Sequence, residues 1–196
     1  IVLTGVLVSC VGSALKMVAT DSYRLAVSET ELDSPCPEEF EAVISGSFLQ
    51  DIASLPQSED PITIALNDNQ IVVTYRDTTF INRRIEGTFP NYKQLIAEGH
   101  STRATLSTHA LTDAVRRVSL LSNKVSPVQV RVDAESGVVT LLTNSQDIGN
   151  AQENLICEVD GESVDIAFNF TFMLDGLNSI DTDAVHLDLF GPMKPG

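Results

Sequence analysis

An internal repeat constrains the fold of this chain more strongly than any other feature of its sequence. Residues 15–22 (LKMVATDS) match residues 138–145 (VVTLLTNS) at a shift of 123 positions, and residues 48–55 match residues 173–180 at a shift of 125. The sequence therefore predicts two tandem copies of one unit, joined near residues 97–103. A period of 123 in a chain of 196 residues also implies that both copies are truncated, the first before its opening helix and the second before its last strands.

The hydrophobic pattern within each copy favours an α+β fold with antiparallel sheets. Short β-branched apolar runs, which are typical of strands, occur at residues 6–8, 15–18, 62–66, 71–75, 128–132, 138–142, 164–168 and 185–189. Helical spacing, with apolar side chains on one face, is found in residues 47–55, 109–122 and 172–180. Ser47 and Thr171 are the predicted N-caps, and Pro56 ends the first helix.

The composition excludes several classes of function. No apolar run reaches the roughly 18 to 20 residues of a membrane helix, so a membrane partner is not expected. Cys10, Cys36 and Cys157 are widely separated, which predicts neither a zinc site nor a disulfide framework and makes a reducing cytoplasm the default location. The three histidines lack metal-ligand spacing, and no phosphate loop or GxSxG motif is present. We therefore expect no catalytic residue, no metal and no cofactor.

The charge balance argues against tight, static binding of nucleic acid. Acidic side chains outnumber basic ones by 27 to 12, for a net charge of −15, and both halves of the chain are acidic. Phosphate binding normally needs a basic surface, which this chain lacks overall. Weak contact with DNA, or retention of DNA by geometry alone, stays compatible with the sequence.

Four stretches resemble the bacterial DNA polymerase sliding clamp, the beta subunit. They are residues 18–27 (VATDSYRLAV), 87–92 (GTFPNY), 121–124 (LSNK) and 167–169 (AFN) leading into 173–175 (MLD). The resemblance follows the whole chain in order. It implies tandem repeated clamp domains, with antiparallel sheets outside and helices lining an inner concave face. Of the three domains of a family subunit, residues 1–100 would be the second, truncated at its N-terminus, and residues 101–196 the third, truncated at its C-terminus.

Residues 20–25 admit two interpretations. They form either a simple polar turn in which Arg24 pairs with Asp21, or a binding site in which Tyr23 and Arg24 are contact residues of the kind enriched in hot spots. The resemblance implies a pocket for short peptides of client proteins, formed by Leu3, Thr20, Ser22, Tyr23, Arg24, Leu25, Pro90, Gln94, Leu95, Ser126 and Pro195. Ser22 stands where the family often has glycine, Gln94 stands where some members have arginine, and the last strand of the pocket is missing.

Polar helix faces usually contact only water, but the resemblance implies that some of them face DNA. The helix side chains concerned are Arg116, Arg117 and Asn178, and Arg83 and Arg84 would add positive charge nearby. Leu120 falls off the apolar stripe of its helix, beside Leu121, which we expect to be buried. In the family this end of the third domain meets the first domain of the neighbouring subunit, so Leu120 and Leu121 are the predicted dimer contacts.

The resemblance implies a replication processivity factor without enzymatic activity. The intact protein would be a cytoplasmic homodimeric ring that encircles double-stranded DNA without reading its sequence. It would tether the replicative DNA polymerase and other clients, and a clamp-loader ATPase would open it. Two alternatives stay open from the residues alone: a tandem-repeat protein-interaction module with no DNA role, and an enzyme that uses the groove between the domains.

Overall fold

The chain divides into two compact units, one extending to Leu95 and the other beginning at Ile96. The computed structural model describes residues 2–122, 127–145 and 149–196, with the side chain of Ser145 excepted. Each unit contains a four-stranded sheet, a three-stranded sheet and one or two helices. Every strand pairing among the described residues is antiparallel, which confirms the predicted α+β class.

The first unit is built around the sheet β3-β2-β1-β4, followed by a helix and the sheet β5-β6-β7. Its elements are β1 (Gly5–Val11), β2 (Ala14–Thr20), β3 (Leu25–Glu31), β4 (Phe40–Ser45), α1 (Gly46–Ala53), β5 (Ile62–Leu66), β6 (Gln70–Tyr75) and β7 (Thr78–Arg83). Short 3₁₀ helices at Val2–Thr4 and Tyr92–Gln94 flank these elements.

The second unit contains the four-stranded sheet β11-β10-β9-β13 and the three-stranded sheet β12-β8-β14. Its elements are β8 (Thr102–Ser107), α2 (Thr108–Ser119), β9 (Val128–Asp133), β10 (Val138–Ser145), β11 (Gly149–Ile156), β12 (Glu158–Gly161), β13 (Val164–Phe168), α3 (Phe170–Leu177) and β14 (Ala184–Leu189).

The two units repeat one topology, as the sequence match predicts. The sheet β3-β2-β1-β4 leads into α1, and the sheet β11-β10-β9-β13 has the same strand order and leads into α3. The matched sequence segments fall on β2 and β10 and on α1 and α3. Within the described residues, α2 and β8 have no counterpart in the first unit, and β6 and β7 have none in the second.

The four-stranded sheet of the first unit is covered on both faces, because side chains along a strand point alternately to opposite sides. On one face Val8 and Ile44 pack against Phe48 of α1. On the other face Leu7 and Val43 belong to a second cluster, which contains Tyr92 from the 3₁₀ helix. The segment after β7 is therefore held against the sheet face opposite α1.

The core of the second unit lies between α2 and the strands β9 and β10. Leu111, Val115 and Val118 of α2 are at most 2% exposed, and they belong to the same cluster as Val130 and Leu141. The apolar stripe predicted for this helix is confirmed. The opposite face of α2 carries its charged side chains.

The predicted helix ends need correction. The first helix is capped by Ser45, whose side chain accepts a hydrogen bond from the Phe48 backbone N–H at 3.5 Å, and not by Ser47. The third is capped by Asn169, which accepts from the Thr171 N–H at 2.9 Å, and not by Thr171. In both cases the cap lies two residues before the predicted one, because the helix starts at the end of the preceding strand. The second helix ends at Ser119 and not at residue 122.

Candidate functional sites

The hairpin turn between β2 and β3 is organised by one carboxylate. Asp21 Oδ1 accepts hydrogen bonds from the backbone N–H groups of Tyr23 and Arg24, each at 3.1 Å, and Asp21 Oδ2 accepts one from Arg24 Nε at 2.9 Å. Thr20 Oγ1 donates to the Arg24 carbonyl at 2.7 Å. The polar turn with an Arg24–Asp21 ion pair is confirmed, and it leaves the second interpretation open because it fixes the backbone from which Tyr23 projects.

The same hydrogen bonds set the charge of the turn. The Tyr23 backbone N–H, with a further contribution from Arg24, holds the pKa of Asp21 below its ordinary value. Asp21 is therefore ionised at neutral pH and accepts all three bonds as a carboxylate.

The turn holds an aromatic ring outside the protein surface. Tyr23 is 84% exposed, and the residue before it, Ser22, has φ of +75°. That left-handed backbone favours glycine, because a Cβ atom there is close to the following carbonyl oxygen. The structure gives a physical reason for the glycine that the resemblance associates with this position.

An apolar cluster lies next to the turn. Leu25, the first residue of β3, packs against the cluster of Leu7, Val18, Val43 and Tyr92. Val2, in the 3₁₀ helix that also contains Leu3, packs against the same cluster. Leu3 itself is 43% exposed. Of the predicted pocket residues, Leu25 therefore packs against this cluster, and Val2 holds the segment that contains Leu3 beside it.

Tyr92 positions the other side of this candidate site. It is 8% exposed within the cluster, and its backbone N–H donates to the Pro90 carbonyl at 2.7 Å. The Leu95 N–H donates to the Tyr92 carbonyl at 2.9 Å. Leu95 is 61% exposed, and Pro90 and Gln94 are exposed as well. Sequence reasoning did not assign Tyr92 to the site, although the motif at residues 87–92 contained it.

The structure leaves two of the predicted pocket residues untested. Ser126 lies outside the described residues. Pro195 is an exposed residue of the second unit. Their part in a pocket stays a prediction.

The polar face of α2 brings two of the predicted DNA-facing side chains together. Arg116 donates from Nη2 to Asn178 Oδ1, at the end of α3, at 2.8 Å, and its Nη1 lies 3.7 Å from Asp113. Arg117 donates two hydrogen bonds to Glu153 of β11, at 2.8 and 3.2 Å, which lower the pKa of that carboxyl. Both arginines are exposed and ion-paired, Arg117 with Glu153 at 2.8 Å and Arg116 with Asp113 at the longer distance of 3.7 Å.

The remaining predicted contacts have mixed environments. Arg83 is exposed at the end of β7, whereas the Arg84 guanidinium donates to the carbonyls of Asn67 at 2.9 Å and Glu41 at 3.2 Å. Arg84 therefore ties the β5–β6 turn to β4. Leu120, the C-cap of α2, is 79% exposed, as its position off the apolar stripe predicts. Leu121, which the sequence predicted to be buried, is only half-buried.

The described residues contain neither a metal site nor a membrane-spanning helix. No group of three or more His, Cys, Asp or Glu side chains in that part of the chain is arranged to hold a metal ion. No helix within it is long and apolar enough to cross a membrane.

Comparison with known families assigns both units. The model of the central domain of the DNA polymerase III beta subunit matches residues 1–91, and the model of its C-terminal domain matches residues 93–196. The chain belongs to the DNA polymerase III beta subunit family. The resemblance inferred from residues 18–27 and the other three stretches is confirmed.

Curated and solved relatives agree with this assignment. The chain is 32% identical to the beta sliding clamps of Synechocystis and Staphylococcus aureus, over 96% and 99% of its own length. It is similar to the crystal structure of the DNA polymerase sliding clamp of Bacillus subtilis, with a TM-score of 0.93, 26% identity and coverage of 98% of this chain and 52% of that one. A putative DNA polymerase III beta subunit of Eubacterium rectale gives a TM-score of 0.93 at 27% identity, covering 99% of this chain and 53% of that one. The chain spans 52% of the length of both curated relatives.

Proposed function

We propose that this chain is part of a replication processivity clamp, with residues 1–100 as the second clamp domain and residues 101–196 as the third. The complete protein is a homodimeric ring in the cytoplasm that encircles double-stranded DNA, is opened by a clamp-loader ATPase and catalyses no reaction. The observation that carries the proposal is the match of both repeats, in order, to the central and C-terminal domains of the beta subunit. The replicative DNA polymerase and other clients bind through a peptide site on the first unit.

The mechanism is topological. A closed ring leaves DNA only when it opens, so weak phosphate contacts are enough for long residence and still permit sliding. An excess of 27 acidic over 12 basic side chains suits a protein that encloses DNA without wrapping it. The exposed polar face of α2, with Arg116 and Asn178 joined by a hydrogen bond, is a sequence-independent contact for phosphates.

The client site consists of an apolar floor and a polar rim. The floor is formed by Leu25 and the apolar cluster that contains Tyr92 (Leu7, Val18, Val43 and Tyr92). Leu3, Pro90 and Leu95 are exposed beside it. Tyr23 and Arg24 supply the rim, held by Asp21. Exposed aromatic, arginine and leucine side chains around a partly buried apolar base suit a short peptide with paired apolar side chains.

Titration of such a peptide into the isotopically labelled chain, followed by amide NMR signals, tests the client site. We expect shifts around Tyr23 and Leu95. Leu95→Ala and Arg24→Ala should weaken binding without lowering the melting temperature, and Ile156→Ala, at a 91% exposed position in the second unit, should not weaken it. Shifts confined to the polar helix faces would contradict the assignment.

Charge reversal on α2 tests the DNA-facing surface separately. Arg116→Glu combined with Arg117→Glu in the complete protein should lower its retention on closed circular DNA at low salt without unfolding it. Arg131→Glu is the matched control, because Arg131 is an exposed, ion-paired arginine on β9 between residues whose side chains pack towards α2. Equal retention for the double variant and the control would remove these arginines from the DNA-facing set.

A further inference from the structure

Two cysteines that are distant in the sequence meet at the turn between β1 and β2. The Cys10 Sγ–H donates weakly to the Gly12 carbonyl oxygen at 3.8 Å, and the Cys36 backbone N–H donates to the same oxygen at 2.8 Å. The Cys10 side chain and the Cys36 main chain therefore contact one carbonyl oxygen, which places the two cysteines side by side. Neither thiol is in a disulfide.

The backbone holds this pair in place. Gly12 has φ of +59°, the left-handed conformation that the tight turn requires. The segment after β3 is fastened to the turn at two points, through the Leu32 N–H to the Ser13 carbonyl at 2.8 Å and through the Cys36 N–H to Gly12. Cys36 is therefore fixed beside the end of β1 by main-chain hydrogen bonds.

The two thiols differ in their access to solvent. Cys10 is 1% exposed, on the sheet face that carries Val8, whereas Cys36 is half-buried. Burial, with a further contribution from the neighbouring Cys36, raises the pKa of the Cys10 thiol. Because the thiolate is the reactive form, Cys36 is the thiol that meets a reagent first and Cys10 is the one that follows.

We propose that Cys10 and Cys36 are a redox-active dithiol that closes to an intrachain disulfide when a low-molecular-weight disulfide such as oxidised glutathione is present. The Cys36 thiolate attacks one sulfur of the oxidant and expels one glutathione thiolate, which forms a mixed disulfide. Cys10 then loses its proton to water, attacks Cys36 Sγ and expels the second glutathione thiolate. Two electrons pass from the protein thiols to the oxidant, and excess reduced glutathione reverses the exchange.

This disulfide would join a core strand to the segment that precedes β4. It would tie Cys36 covalently to β1, where hydrogen bonds to Gly12 and Ser13 now hold the segment. The effect is independent of DNA or client binding. The spacing of the cysteines in the sequence predicts no permanent disulfide framework. The proposed bond is reversible, and both cysteines are free thiols in the resting chain.

Oxidation of the reduced chain with oxidised glutathione, followed by maleimide labelling in denaturant and intact mass measurement, tests the proposal. We expect a single maleimide, on Cys157, and a protein mass lower by two hydrogen atoms. A tryptic digest should contain residues 1–16 linked to residues 25–76. The melting temperature of the oxidised protein should be several degrees higher than that of the reduced protein.

Variants separate this bond from other thiol chemistry. Cys157→Ser is the matched control and should form the bond as the unaltered chain does. Cys36→Ser, at the more exposed position, should fold normally and leave both remaining thiols open to maleimide. Cys10→Ala should stop at a mixed disulfide on Cys36. Three labelled thiols in the unaltered chain after oxidation, a glutathione adduct that never closes, or links involving Cys157 would overturn the proposal.

Discussion

Replacement of Tyr23 by alanine is the sharpest single-residue test of the candidate client site. The ring is 84% exposed, and Asp21 and Thr20 hold the backbone of the turn from which it projects. Its removal should therefore change the free energy of unfolding by no more than about 0.5 kcal/mol. Loss of binding by this variant would then report on contact and not on folding.

The expected magnitude follows from the exposed area. A tyrosine side chain presents on the order of 200 Å², so about 170 Å² is available at 84% exposure. A peptide that covers one face of the ring buries about half of that area, which at about 25 cal/mol per Å² is worth about 2 kcal/mol. Tyr23→Ala should therefore weaken peptide binding and raise its Kd by about 30-fold.

Isothermal titration of a peptide with paired apolar side chains measures this change. Tyr23→Phe keeps the ring and should bind within a few-fold of the unaltered chain. Ile156→Ala removes an equally exposed apolar side chain from the second unit and should bind normally. Unchanged affinity for Tyr23→Ala, with its melting temperature preserved, would refute the argument that this ring forms the rim of the site.

Three further predictions concern the scaffold. Ser22→Gly should stabilise the first unit by up to about 1 kcal/mol in urea unfolding, because glycine relieves the left-handed strain; a loss of stability would contradict this. Asn169→Ala should lower the free energy of unfolding by about 1 kcal/mol, because the helix loses its N-cap, whereas Thr171→Ala should lower it much less. Equal losses would refute the capping assignment. Arg103 holds the pKa of Asp188 low, so the stability from this pair should be present above about pH 4 and be lost as the pH falls through the folded-state pKa. The stability of Asp188→Asn should fall less steeply with decreasing pH than that of the unaltered chain. An unchanged slope would exclude the Arg103–Asp188 pair as a source of this pH dependence.

The sequence predicted the elements whose positions are set by burial. The stripe of Leu111, Val115 and Val118 predicted α2, and β-branched runs predicted central strands such as β9. The repeat predicted which strands and helices of the two units correspond. In each case the side chains bury against a core, so their periodicity is visible in the sequence.

Edge strands and helix starts could not be predicted in this way. The strand β3 (Leu25–Glu31) is almost entirely exposed, and its conformation comes from pairing with β2 and not from an apolar pattern. The edge strands β7, β11 and β12 were missed as well. The pattern also missed β4 and the central strand β8, although Ile44 and Leu106 are buried, because each strand has only a few apolar side chains. The starts of α1 and α3 depend on single cap hydrogen bonds beside a strand end, which a hydrophobic pattern does not report.

The sequence proposed contact residues for the candidate site but only part of the framework that holds them. The pattern at residues 20–25 suggested Tyr23 and Arg24, and the structure adds that Asp21 holds both through its carboxylate. Tyr92 could be assigned to the site only from the structure, which places it in the same cluster as Val18. Supports of this kind act across about 70 residues of chain, so no local spacing rule identifies them.

Retention of the complete protein on closed and open DNA tests the central claim most directly. The protein would be loaded onto a closed circular duplex by its clamp loader, and its dissociation would be followed before and after a single cut linearises the circle. A ring that holds DNA by topology should stay on the circle, leave rapidly from the cut molecule and be retained again when both ends are blocked by bound proteins. Equal rates of release from circular and linear DNA, at the same salt concentration, would contradict the account.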